Sequence, residues 1–132
     1  MNTRFQIRPV QEESAFIYAV DDHESLTELY QTLLSAVGYR VRTFNDRKEA
    51  LESMTNGTAI PNLLVTDCLG GSIPVDEFLN ECRALNPNLR ILMASGLNKR
   101  HMTLARDRKI RFIQKPFSPS EFIEAVQHVL AA

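Results

Sequence analysis

The chain has 132 residues, of which 44% are hydrophobic and 23% are charged, and its formal net charge at pH 7 is -1. This composition fits one globular domain and argues against disorder, a coiled coil, or a global field that attracts nucleic acid. No apolar run reaches the roughly 18 residues of a membrane span, and the first residues lack the apolar core of a signal peptide. Cys68 and Cys82 lack the spacing of a zinc site and are expected to be buried and reduced. These features predict a cytoplasmic protein with no membrane segment.

The first part of the chain divides into a leader and a strand. Residues 1–14 show no clear periodicity and are predicted to form a flexible N-terminal leader, which leaves 15–132 as the folded domain. The apolar run 16–20 predicts a strand, and two carboxylates, Asp21 and Asp22, follow its end.

Helix and turn signals come next. Residues 39–44 alternate apolar and polar side chains, as expected of a strand near the edge of a sheet. Asp46 and Glu49 resemble a capping pair and predict a second helix. Before the strand at 39–44, Gly38 is predicted to cap a first helix whose apolar residues recur at the i, i+3, i+4, i+7 spacing. These residues are Leu26, Leu29, Tyr30, Leu33, Leu34 and Val37.

The central stretch, 61–67, is a short apolar run that ends on the carboxylate of Asp67. A strand buried on both faces has this continuous apolar pattern, and open α/β sheets place their ligands at the carboxyl end of such strands. Gly70 and Gly71 then predict either a loop whose N–H groups approach an anion or only a tight turn. A third helix is expected to end at Pro87.

Two further strands complete the pattern. The run 90–94 leads to Ser95, and the run 110–114 leads to Lys115. The helix between them, 99–109, has few apolar residues and is predicted to be the least well anchored. Its basic charge is interpreted as a solvated face, with an acidic docking partner as the alternative. The basic residues are Lys99, Arg100, Arg106, Arg108, Lys109 and Arg111.

A capping box from Ser118 to Glu121, with proline at the first helical position, opens a last helix. The chain is therefore a series of five βα units. Right-handed crossovers make this series a parallel five-stranded sheet with helices on both faces.

Five polar side chains are predicted to meet at one edge of this sheet, namely Asp21, Asp22, Asp67, Ser95 and Lys115. Carboxylates at close range favour a cation, and Mg²⁺ is the natural one because it takes one or two carboxylates and shares phosphate oxygens. A carboxylate can also form an aspartyl-phosphate. Asp67, at the tip of a central strand, is the predicted nucleophile. Lys115 and Ser95 are predicted to contact phosphoryl oxygens.

Four motifs, in their order and approximate spacing, resemble the response-regulator receiver domain of two-component signalling. The resemblance spans about residues 15–130, and the run 112–118 looks most like receivers attached to hybrid sensor kinases. The motifs are Val20-Asp21-Asp22, Val65-Thr66-Asp67, Ala94-Ser95-Gly96 and Gln114-Lys115-Pro116-Phe117.

The resemblance implies a flavodoxin-like three-layer sandwich with strand order 2-1-3-4-5. It implies transfer of a phosphoryl group to Asp67 from a histidine kinase or a histidine phosphotransfer protein. Mg²⁺ would be bound by Asp22 and Asp67 directly, by Asp21 largely through water, and by the backbone carbonyl of Leu69. Output would pass to a downstream protein target at the fourth and fifth helices.

The resemblance also implies a switch pair, Ser95 and Phe112, in which the hydroxyl closes on the phosphoryl group while the ring turns inward. The bond between Lys115 and Pro116 is expected to be cis. A domain of this kind takes part in its own phosphotransfer but is not a separate enzyme.

The chain departs from the family pattern in the loop after Asp67. Gly70-Gly71 replaces the usual Met-Pro, and Val75 replaces a glycine, although valine tolerates positive φ badly. The loop is therefore expected to follow another path, which puts the Leu69 carbonyl and metal affinity in doubt. Leu69 and Leu97 cannot orient a water molecule, which predicts slow self-dephosphorylation.

Three other functions are weighed against phosphotransfer. A phosphorylation-independent interaction module would keep the fold without binding metal. An aspartyl phosphatase needs an acid two residues after the nucleophile, where this chain has Leu69. Direct DNA binding lacks a recognition-helix motif.

Overall fold

The computed structural model describes residues 15–57, 59–96 and 98–132. Five short strands in these ranges form one parallel sheet. The order β2-β1-β3-β4-β5 confirms the predicted topology. The predicted leader, 1–14, and Leu97 lie outside the described residues. The strands are β1 (Phe16–Val20), β2 (Arg40–Phe44), β3 (Leu63–Thr66), β4 (Arg90–Ser95) and β5 (Arg111–Gln114).

One helix follows each strand, so every connection crosses from one parallel strand to another. The α1 and α5 helices pack on one face of the sheet, and α2, α3 and α4 pack on the other. This is the predicted three-layer sandwich. The helices are α1 (Glu24–Val37), α2 (Arg47–Asn56), α3 (Val75–Leu85), α4 (Lys99–Asp107) and α5 (Pro119–Ala131).

The central strands are buried on both faces because their side chains alternate between two apolar clusters. Tyr18 and Leu64 pack with Phe78 and Leu79 of α3. Residues one position along, such as Val65, belong to the opposite cluster with Tyr30, Leu34 and Phe122. The whole of β3 is buried, which fixes the position of the residue that follows it.

Several local signals are confirmed. Gly38 has a φ of 108° and ends α1, and Ser118 and Glu121 form a reciprocal capping box at the start of α5. Asp46 is the N-cap of α2, where its carboxylate accepts from the amide of Lys48.

Two expectations need adjustment. Leu29 was expected in the apolar stripe of α1 but is 37% exposed and lies outside the core. Helical spacing predicts an apolar stripe but does not tell where its buried part ends. The α4 helix ends at Asp107, two residues before the predicted boundary, and within it only His101 and Ala105 are buried. None of the helices in the described ranges has the length and apolar character to cross a bilayer.

The α3 helix offers a matched test of this packing. Leu79 is fully buried, whereas Leu85 on the same helix is 44% exposed. Leu79→Ala is expected to lower the free energy of unfolding by about 2–5 kcal/mol, since it leaves a cavity under the sheet. Leu85→Ala is expected to change it by less than about 1 kcal/mol. Urea unfolding followed by circular dichroism measures both, and equal losses would contradict the assignment of this helix face.

Candidate acceptor site

The ends of β1 and β3 place two carboxylates side by side. Val20 and Thr66 are partners in the sheet register, so the next residues, Asp21 and Asp67, emerge together. The amide of Asp67 donates to the carbonyl of Val20 over 3.1 Å. Asp21 and Asp67 are buried, and exposed Asp22 donates its amide to Asp67 Oδ2 over 3.2 Å. The predicted juxtaposition of these carboxylates is present.

Two cationic side chains neutralise the buried carboxylates. Lys115, which follows β5, places its Nζ 2.6 Å from Asp21 Oδ2, and the Lys115–Pro116 peptide bond is cis. Arg47, the first residue of α2, places its Nη1 2.9 Å from Asp67 Oδ1. Because burial makes an unpaired charge costly, each cation offsets part of the cost of burying one carboxylate.

Arg47 also holds the loop that follows Asp67. Its side chain is 3% exposed, and its Nε donates to the carbonyl of Ile73 over 2.9 Å. Nη1 lies 3.5 Å from the carbonyl oxygen of Leu69, and Nη2 donates to the carbonyl of Gly70. One guanidinium thus contacts the Asp67 carboxylate and three carbonyls of the loop that follows it.

The two glycines of the loop make this arrangement possible. Gly70 and Gly71 have φ values of 71° and 81°, whereas Val75 is the first residue of α3. A Cβ on Gly70 would lie 2.4 Å from Asp22 Oδ2, and one on Gly71 would lie 3.1 Å from Nη2 of Arg47. The glycines therefore admit the side chains of Asp22 and Arg47 close to the backbone.

Asp46 ties the start of α2 to the same loop. Its carboxylate accepts from the amide and the hydroxyl of Ser72, at 3.0–3.2 Å. Burial alone would raise the pKa of Asp46, but the bonds from Ser72 and Lys48 together lower it. The loop after Asp67 is thus anchored on two consecutive residues of the β2–α2 junction.

The charge state of Asp67 reflects opposing influences. Burial and the nearby Asp21 raise the pKa of Asp67 to about 6, although the Asp22 amide and Arg47 lower it. Asp67 is therefore largely ionised at pH 7.

Ser95, the last residue of β4, is buried, and its Oγ lies 3.4 Å from Nδ1 of His101 on α4. Burial, together with Arg100 and Arg47, lowers the pKa of His101, which favours the neutral ring. Phe112, the other predicted switch residue, is half-buried on β5 and packs on the α3 side of the sheet. A groove of about 630 Å³ between the loop and α4 is lined by both Arg47 and His101.

The cysteines are structural. Cys68 and Cys82 are free and buried, and burial raises the pKa of the first to about 11 and of the second to about 12. Neither thiol is a reactive nucleophile.

Metal ligands of the right kind are present. Nδ1 of His23 lies 3.1 Å from carboxylate oxygens of both Asp21 and Asp22, and one ligand atom from each of the three lies within 4.8 Å of the others. Carboxylate and carbonyl oxygens suit Mg²⁺. However, two of the predicted ligands, the Asp67 carboxylate through its Oδ1 and the Leu69 carbonyl, already accept from Arg47. The donor set fits Mg²⁺ in kind.

Sequence reasoning missed Arg47, His23 and His101, and treated Tyr30 only as a core residue. Arg47 directly follows the N-cap residue after β2. The convergence of strand ends, which predicted that Asp21 and Asp67 meet, therefore also places the backbone of Arg47 near this edge of the sheet. Tyr30 is fully buried, and its hydroxyl has no hydrogen-bond partner in the described part of the chain. Burial, followed by the charges of Asp21 and Asp67, raises its pKa.

The raised pKa of Asp67 predicts a pH dependence of stability. Because folding raises this pKa from its usual value near 4, the folded chain binds the proton more tightly, and the resulting stabilisation is lost as the pH rises through about 6. The free energy of unfolding of the wild type minus that of Asp67→Asn should therefore decrease from about pH 4 to pH 6, by at most about 1.4 kcal/mol per pH unit.

Urea unfolding in metal-free buffer at several pH values measures that difference. Asp107→Asn, which changes an exposed carboxylate of α4, serves as the control. A difference between wild type and Asp67→Asn that does not vary with pH would show that folding leaves this pKa unchanged.

The sequence and the fold both resemble those of known proteins. A sequence model of the response regulator receiver domain matches residues 17–127. The response regulator SaeR of Staphylococcus aureus (strain USA300) is 23% identical over 116 residues, which cover 84% of this chain and 48% of SaeR. The chain spans about half the length of the curated relatives it matches.

Solved structures share the fold over nearly their whole length. The response regulator receiver protein from Sinorhizobium medicae WSM419 is 26% identical with a TM-score of 0.80, and the match covers 91% of this chain and 97% of that one. The CheY-like receiver domain protein from Methanospirillum hungatei JF-1 is 22% identical with a TM-score of 0.81, over 89% and 94%. On the matched sequence and the shared architecture, the chain belongs to the response regulator receiver domain family.

Proposed function

We propose that the chain is a cytoplasmic phosphoacceptor that takes a phosphoryl group on Asp67 from a histidine kinase or a histidine phosphotransfer protein. The observation that carries the proposal is the position of Asp67, which follows the fully buried strand β3 beside the carboxylate of Asp21. Lys115 and Ser95, at the ends of β5 and β4, supply an ammonium and a hydroxyl at the same edge of the sheet.

The reaction is an in-line displacement. An oxygen of ionised Asp67 attacks the phosphorus, the bond between phosphorus and the donor imidazole nitrogen breaks, and that nitrogen keeps the electron pair and takes a proton. The product is a mixed anhydride on Asp67. Lys115, now paired with Asp21, and Ser95, now beside His101, would each contact a phosphoryl oxygen, which offsets the added negative charge.

Mg²⁺ would be held by Asp21, Asp22, Asp67 and the backbone carbonyl of Leu69. When bound, it would neutralise phosphoryl oxygens and so favour transfer onto a carboxylate. The support for this ligand set is its chemistry, since all the donor atoms are the hard oxygens that Mg²⁺ prefers.

Output would pass from Ser95 and Phe112 to a protein target at α4 and α5. Phe112 lines a shallow groove with Lys99, Met102 and Arg106 of α4. Reorientation of Phe112 would therefore reshape a surface that basic side chains surround, which favours an acidic partner.

A phosphorylation-independent interaction module is the second candidate function. The ion pair between Arg47 and Asp67 favours it, because this pair already neutralises the acceptor carboxylate without a ligand. In such a module the surface around α4 and α5 would bind its partner in this conformation.

Phosphorylation can be tested by intact mass. Incubation with Mg²⁺ and acetyl phosphate should add one phosphoryl group to the wild-type chain and none to Asp67→Asn. Because some receivers accept only from their own partner, a negative result calls for the same measurement with a phosphorylated histidine phosphotransfer protein. No adduct from either donor on a folded chain would favour the interaction module.

The adduct should be long-lived. Leu69 is 61% exposed next to the acceptor loop, and its apolar side chain cannot orient an attacking water. We expect a phosphoryl half-life well beyond seconds, and a several-fold shorter one in Leu69→Asn, whose amide can hydrogen-bond to water. Mass spectrometry after removal of the donor measures both, with Leu85→Ala as a control at an exposed leucine far along α3. A wild-type half-life of seconds would refute this prediction.

A further inference from the structure

We infer that Arg47 is a built-in cation of the acceptor site, which competes with a divalent metal for Asp67 and thereby sets metal affinity. The inference rests on the proposed function, which supplies the set of metal ligands. No position other than Arg47 in the described ranges makes an ion pair with Asp67.

The first step is the overlap of contacts. Nη1 of Arg47 lies 2.9 Å from Oδ1 of Asp67 and 3.5 Å from the carbonyl oxygen of Leu69. The Asp67 carboxylate and the Leu69 carbonyl are two of the proposed metal ligands. A Mg²⁺ ion binds oxygen at about 2.1 Å, so an ion on Asp67 Oδ1 would lie within about 5 Å of Nη1. Two cations at that distance in a buried site repel each other. Metal binding therefore requires the guanidinium to move or to weaken its hold on Asp67.

The second step is the cost of that movement. Arg47 is 3% exposed, donates to the carbonyls of Gly70 and Ile73, and lies against the backbone of Gly71. Its displacement would break several hydrogen bonds of the loop at once. The hydrogen bonds between Arg47 and the loop therefore lower the affinity for the metal, in addition to the repulsion between the two cations.

The third step is the remaining charge. Lys115 pairs with Asp21 and Arg47 pairs with Asp67, so exposed Asp22 is the one of these three carboxylates that has no Lys or Arg ion-pair partner in the described ranges. Loss of the Arg47 charge would leave Asp67 and Asp22 without a strong cation, which is the condition that favours a divalent ion.

The experiment is a binding titration with Mn²⁺ alone, read from the loss of the free-ion signal in electron paramagnetic resonance, with Mg²⁺ as the competing ion. Arg47→Gln removes the charge but keeps a hydrogen-bond donor for the loop. We expect it to bind Mn²⁺ at least tenfold more tightly than the wild type. Arg106→Gln removes the same charge from an exposed position of α4 and should leave the affinity unchanged.

Equal or weaker binding by Arg47→Gln would overturn the inference, and so would the absence of saturable binding in both proteins. Neither outcome depends on phosphorylation, because no phosphodonor is present. Failure of the proposed function would appear separately, as the lack of a phosphoryl adduct.

A second measurement uses the wild-type chain and does not depend on how the variant folds. The Nε–H of Arg47 donates to the carbonyl of Ile73, so its ¹H–¹⁵N resonance should be protected from solvent exchange. Saturation with Mg²⁺ should shift this resonance and speed its exchange, while the Nε–H of Arg106 stays unchanged. An Arg47 resonance that keeps its position and its protection at saturating Mg²⁺ would overturn the inference.

Discussion

Neutralisation of carboxylates at the ends of β1 and β3 is the constraint on which the site depends. Asp21 and Asp67 are buried at adjacent positions, where two uncompensated negative charges would be very unfavourable. The chain supplies one cation to each, from sequence positions that are distant from both strands: Lys115 after β5 and Arg47 at the start of α2. The loop after Asp67 takes its shape from the second of these cations, since its carbonyls face the guanidinium.

Much of this fold is predictable because its signals are local or periodic. Continuous apolar runs such as β3 identify strands that are buried on both faces, and the rule that strand ends converge brings Asp21, Asp67 and Lys115 together. The ion pair between Arg47 and Asp67 could not be predicted from the sequence, because a long side chain at a helix start can point to solvent or inward. Only the tertiary path of the loop decides between these directions. The exposure of Leu29 could not be predicted either, since helical spacing predicts an apolar stripe but not which of its residues are buried.

Gly70 and Gly71 show that the same sequence signal is compatible with two loop structures, one that binds an anion and one that packs around a cation. Gly70 and Gly71 indicated a backbone that an anion could approach, and their positive φ values agree with a tight turn. The groups that approach are Asp22 and Arg47, one anionic and one cationic. A loop that packs around a guanidinium needs its carbonyl oxygens to face inward, whereas a loop that binds an anion needs its N–H groups to do so. Carbonyl direction is a property of the folded loop, and residue types alone do not specify it.

The same site is connected to α4, the helix with the fewest buried residues among those on its face of the sheet. Only His101 and Ala105 anchor this helix within the core, and His101 faces the hydroxyl of Ser95. An element with few buried contacts needs little free energy to change position. A rotation of Ser95 away from His101 would remove a polar contact from one of only two buried residues of α4. Arg47 and His101 also line the same groove, so α4 borders the loop after Asp67 as well as the end of β4. Under the proposed function, the small number of buried residues on α4 would be the physical reason why a change in charge at Asp67 alters a surface elsewhere.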